Sequence, residues 1–166
     1  MNRFVWDVRH QNGVGMPPGE YRVRLTVGGT TQTQPLRVLI DPRIAARGVT
    51  EADLQEQFAH NMRMHDLVDE VNALATRVRD AQKRLRSAGD TETLKRVDAL
   101  ASTLLSEPVR YGKPGLQAQV TYLAGMTRGA DQKIGRDAIE RYAVLKKAVD
   151  AARADVDRVL GGSGKM

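Results

Sequence analysis

The chain has 166 residues, 41% of them hydrophobic and 28% charged, with a formal net charge of +6 and no cysteine. That length and balance fit one ordinary globular domain or two small ones and exclude a disordered chain. The missing cysteines exclude disulfides, Cys-ligated zinc, iron–sulfur clusters and thiol catalysis, and no stretch approaches the roughly 18 apolar residues of a membrane span.

The positive charge is unevenly placed. Seven arginines up to Gly48 face only Asp7, Glu20 and Asp41, while the remainder of the chain is nearly balanced, with signs interleaved as on a solvated helix surface. Aromatic residues make up 4% of the chain and do not alternate with basic ones, so there is no stacking platform for bases and nucleic-acid binding is not expected.

In chain order, the first predicted element is a strand over NRFVWDVRH, in which Phe4 and Trp6 share a face at period two. QNGVGMPPG follows as a loop. GEYRVRLTV then alternates Tyr21, Val23, Leu25 and Val27 against Arg22, Arg24 and Thr26, which predicts a half-buried strand. Gly28-Gly29 supplies the positive φ angles of a tight hairpin, and TTQTQPLRVLI returns, with Pro35 marking an edge or a bulge. Three antiparallel strands with one apolar face need cover, so this part reads as the end of a sandwich or as a small sheet leaning on helices.

Beyond Gly48 the period changes to 3.6. Thr50 and Asp53 form a capping-box-like start to a helix of nearly forty residues, about 58 Å long. Met64, Leu67, Val71, Leu74, Val78, Ala81 and Leu85 form an apolar seam along it. Gly89-Asp90 ends that helix and caps the next, whose seam is Leu94, Val97, Ala101 and Leu104. After a loop at EPVRYGKPG comes a shorter stripe of Leu116, Val120, Leu123 and Met126 or Thr127. The last helix, roughly 137–160, aligns Tyr142, Leu145, Val149, Ala152, Val156 and Val159. The fold class expected is α+β: a short antiparallel sheet, the end of an Ig-like sandwich, followed by an antiparallel helical bundle with one long helix. The expected organisation is residues 1–43 as partial sandwich strands, 50–162 as the bundle and 163–166 as a flexible tail.

Reactive constellations are sparse. His60 and His65 lie about 140° apart around a helix, too far to share a metal. Asp66, Asp69 and Glu70 fit a solvated helix face with arginines nearby, although Asp66 and Glu70 are one turn apart and could offer carboxylates to a divalent ion. The serines occupy no nucleophile motif, and GGSGKM lacks the spacing and the following helix of a phosphate loop. No catalytic residue, metal ligand or cofactor is therefore assigned. The positions singled out as structural are Trp6, Tyr21, Thr50, Asp131, Gln132 and Tyr142, with Asp131 and Gln132 expected to cap helix ends at the GADQ corner. A functional loop is the competing reading there. Arg22 and Arg24 share a strand face and could meet an anion or an acidic partner, or simply face solvent.

The order NRFVWDVR, PPGEYRVRLTVGGTTQTQPLRV, DPRI, TEADLQEQFA and PGLQAQVTYLAGMTRGADQKIGRDAIERYAVLK resembles the C-terminal region of bacterial exported BNR-repeat, sortilin-like β-propeller proteins, often labelled glycosyl hydrolases. The resemblance implies a periplasmic or extracellular parent and a non-catalytic C-terminal structural or interaction module that completes a sandwich after the propeller. Trp6 would then be core of a sheet begun upstream, and Met1 an internal methionine or a late start. The propeller that carries the hydrolase label is not in this sequence, so the resemblance transfers no active-site residue. Partners are expected to be protein: upstream propeller or sandwich domains, or a second copy. In that last case the module would be for oligomerisation, with the Met64-to-Leu85 seam pairing between chains.

Overall fold

A computed structural model describes residues 3–161; the expected tail 163–166 lies outside the described residues. The elements are β1 (Gly19–Val27), β2 (Thr30–Val38), α1 (Pro42–Ala45), α2 (Glu51–Ala88), α3 (Thr91–Leu104), α4 (Leu116–Arg128) and α5 (Arg136–Gly161). The class is α+β, with one antiparallel two-stranded sheet and a long helix of 38 residues. Contacts divide the chain into two units. One takes the chain up to Met62 together with Thr127–Gly135; the other takes Arg63–Met126 and the chain from Arg136 onward. The division falls inside α2, not at the junction between strands and helices.

In the first unit, residues 3–10 of the expected strand NRFVWDVRH form no strand beyond a single bridge between Arg9 and Gly15, and among the described residues the sheet has two strands where three were predicted. The reason is local. Val8 adopts a positive φ of 57°, and the chain curls so that the Met16 N–H donates to the Val8 carbonyl at 2.9 Å and the His10 N–H to the Val14 carbonyl at 2.8 Å. Trp6 Nε1 donates back to the Arg9 carbonyl at 2.9 Å, which ties the indole N–H to this turn. Phe4 is left 89% exposed. The anchor of the turn is Val14, fully buried, beside buried Pro17 and Pro18.

The starts of the helices follow the sequence closely. Thr50 and Asp53 form a reciprocal capping box: the Asp53 N–H donates to Thr50 Oγ1 at 3.1 Å and the Thr50 N–H to Asp53 Oδ2 at 2.9 Å. Asp90 caps α3 by accepting from the Thr93 N–H at 3.0 Å, after Gly89 has turned the chain at φ 71°. Asp41 caps α1, a one-turn helix, with Pro42 at its first position.

The second unit is a helical bundle around the α2 seam. Met64, Leu67, Val71, Leu74, Val78 and Ala81 are buried against Val97, Ala101 and Leu104 of α3, Leu116, Val120 and Leu123 of α4, and Leu145, Val149, Ala152 and Val156 of α5. Polar pairs at the rim give the directions. Asp98 meets Gln82 and Arg86, and further along the chain Gln117 meets Arg79 and Asn72, so α3 and then α4 retrace α2 backward. Arg63 lies over the Tyr142 ring, Glu70 pairs with Lys146 and Arg153, and Arg77 pairs with Asp157 at 2.7 Å. The two long seams therefore run in the same direction, each antiparallel to the α3–α4 leg between them. The Met64-to-Ala81 seam of α2 is thus covered inside the chain.

Candidate functional site

The hairpin is the most unusual surface of the first unit. Its register pairs Tyr21 with Leu36, Val23 with Gln34, Leu25 with Gln32 and Val27 with Thr30, so these side chains share one face. Val23 is 52% exposed, Leu25 62% and Val27 67%. Alternation predicted a half-buried strand; the structure shows the apolar row uncovered from Val23 outward. Only Tyr21, at the base, is tied down: its hydroxyl donates to the Pro17 carbonyl at 2.5 Å, and its ring meets Trp6 edge-on at 5.5 Å. Partial burial raises the Tyr21 hydroxyl pKa above its ordinary value.

The opposite face carries Arg22 and Arg24 with Arg37. Arg37 pairs with Glu20 at 3.5 Å, while Arg22 and Arg24 are exposed and make no ion pair among the described residues. On β1 the ribbon thus carries an apolar row on one face and a basic row on the other, with Gln34, Gln32 and Thr30 of β2 beside the apolar row.

A second feature is the corner after α4. Gln57, 6% exposed, donates through Nε2 to the carbonyls of Thr127 at 2.8 Å and Ala130 at 2.7 Å, and its Oε1 accepts from the Gln132 N–H at 3.2 Å. Asn61 adds a donor to the Thr127 carbonyl at 3.2 Å. Gln57 and Asn61 continue the seam of α2 toward Leu54 at gaps of three and four, so polar residues in seam positions were the available sign of this buried network. Sequence reasoning missed both, and it weighed His60 only as a metal ligand, whereas the side chain is fully buried on the same helix.

A cleft of about 210 Å³ adjoins the corner, with Leu54, Phe58 and Pro17 among its walls and Arg9, Arg128 and Asp131 beside them. Asp131 lies five residues ahead of Arg136, too far to accept from the first turn of α5, and is exposed at this cleft instead of capping. Gln132 is held by Gln57 through its backbone. Thr50 caps α2 as expected, and Tyr142 sits in the other unit beneath Arg63, whose guanidinium is 5.5 Å from the ring centroid.

Among the described residues no three His, Asp or Glu side chains converge as a metal-holding group. His65 faces Asp69 at 3.5 Å and Asp66 at 3.7 Å, and Glu70 is engaged by α5 cations. No helix of the described residues is long and apolar enough to cross a membrane. Comparison with known proteins finds no matching family model, no matching curated protein and no matching solved structure.

Proposed function

We propose that the chain is a non-catalytic structural and interaction module of an exported sortilin-like β-propeller protein, docking through the apolar face of the β1–β2 hairpin onto the sandwich region of that protein. The observation that carries this reading is the in-register row Val23, Leu25 and Val27, more than half exposed on a ribbon of only two strands. A two-stranded ribbon is marginal by itself, and covering the exposed half to two thirds of each of these side chains contributes about 1–2 kcal/mol each. The order of motifs along the chain, which resembles the region following the propeller in that family, supports the choice of occupant and a periplasmic or extracellular setting. Pairing through the long α2 seam is disfavoured because that seam is spent inside the helical unit.

A photo-crosslinking side chain placed at Leu25 in the native cell tests the reading, with the captured species identified by mass spectrometry. A propeller-bearing polypeptide of the cell envelope supports it. Absence of any adduct at Leu25, or glycoside hydrolysis by the purified chain that a single substitution abolishes, overturns it.

A further inference from the structure

The two edges of the hairpin are not equivalent. Gly28 at φ 55° and Gly29 at φ 81° form a two-residue turn of type I′, so Val27 and Thr30, which flank it, exchange backbone hydrogen bonds. Bonded rungs then recur at every second pair: Leu25 with Gln32, Val23 with Gln34, Tyr21 with Leu36. The rungs between them direct their N–H and C=O groups outward. The short contact between the Thr26 and Thr31 hydroxyls, 2.9 Å, fits such a non-bonded rung, where side chains approach closest.

On β2 the outward row is Thr31, Thr33, Pro35 and Arg37, and Pro35 has no N–H to offer. This explains why proline is tolerated in mid-ladder, and it breaks that edge at its centre. On β1 the outward row is Glu20, Arg22, Arg24 and Thr26, each with its N–H and C=O, and no other backbone segment among the described residues pairs with them. The intact edge belongs to the same strand that bears the uncovered apolar row.

We infer that the outer edge of β1 accepts an additional strand whose side chains alternate apolar and acidic residues, supplied by the sandwich region of the same exported protein; this rests on the docking reading above. The apolar positions extend the Val23–Leu25–Val27 row, and the acidic ones lie beside Arg22 and Arg24, which make no ion pair among the described residues. A second copy is a poor occupant. The fully overlapped antiparallel β1–β1 register sets Arg22 opposite Arg24 twice, and like charges directly opposite are destabilising.

Residue-resolved hydrogen exchange of the full chain tests this, with a synthetic peptide of alternating valine and glutamate as probe and its valine–lysine counterpart as control. The glutamate peptide should slow exchange of the Arg22, Arg24 and Thr26 amides by about tenfold or more, and the lysine peptide should not. Arg22→Glu with Arg24→Glu should invert that preference. Arg24→Pro, which removes an outward N–H and no internal ladder bond, should abolish the effect while the inward amides of Val23 and Leu25 stay protected. Protection appearing on β2, equal protection by both peptides, protection by neither, or a dimer formed through β1 in light scattering overturns the inference. A Leu25 cross-link to the parent protein that survives Arg24→Pro removes the edge pairing but leaves the docking face; loss of the cross-link in the unmodified chain removes both.

Discussion

Replacing Gln57 with alanine deletes the side chain that closes the corner after α4. Three hydrogen bonds go with it, to the Thr127 and Ala130 carbonyls and from the Gln132 N–H. The Thr127 carbonyl keeps Asn61 as a donor, and Ala130 is exposed enough to regain water, so the loss falls short of three full desolvation penalties. At about 1 kcal/mol net per bond, with some added cost for the space left at a site only 6% exposed, Gln57→Ala should destabilise by about 2–3 kcal/mol. Gln57→Glu sharpens the test. It keeps the volume and the acceptor for Gln132, but as a carboxylate it cannot donate to two carbonyls. Its folded pKa is therefore raised, and its stability deficit shrinks as pH falls through that value. Urea unfolding at 25 °C, followed by Trp6 fluorescence in the same unit as Gln57 and by far-ultraviolet circular dichroism, reads both variants. A loss below about 0.5 kcal/mol in Gln57→Ala would refute the role given to this residue.

Three further outcomes are expected. Gly115→Ala should destabilise by about 2 kcal/mol or more in the same denaturation, because a Cβ there would sit 2.3 Å from the Leu105 carbonyl carbon and 2.7 Å from the Leu104 oxygen; an unchanged midpoint contradicts that packing. The Arg43 side chain and its N–H hold the Asp41 carboxyl down at about 2, so the cap on α1 is fully present above the ordinary carboxylate range and is lost as pH falls from about 4 toward that value; carboxyl resonances should show it, and Arg43→Ala should move the midpoint upward. Trp6→Ala should cost about 1–3 kcal/mol, for one edge-on aromatic contact and one hydrogen bond to Arg9, less than the roughly 3–5 kcal/mol of a fully buried indole; a loss above 4 would mean that the ring is core.

What the sequence disclosed was whatever is written locally. The seams at Met64–Ala81 and Leu145–Val156, the Thr50–Asp53 box, the Asp90 cap and the Gly28-Gly29 turn each depend on residues within a few positions of one another. Direction is not local, and periodicity does not reveal that α5 runs alongside α2 in the same sense. Nor does alternation say whether a face is covered: Tyr21 to Val27 has the pattern of a half-buried strand whether or not anything lies over it. NRFVWDVRH failed as a strand for a related reason: its period-two pattern does not show that Val8 turns to a positive φ or that the Trp6 indole satisfies its N–H in a turn. The corner was illegible because Gln57 and its acceptors are about seventy residues apart, and polar residues in a seam announce a buried network without naming its other half.

The central claim is that the apolar face of the hairpin is open in this chain and awaits a strand from elsewhere. Its most direct test is the urea midpoint of the triple variant Val23→Thr, Leu25→Thr, Val27→Thr, in which threonine keeps β-branching and strand preference while removing apolar surface. Side chains already 52–67% exposed contribute little to the fold, so stability should stay within about 1 kcal/mol of the unmodified chain while capture at the hairpin is lost. A loss of several kcal/mol would show that the chain already covers this face itself, and the docking account would fall.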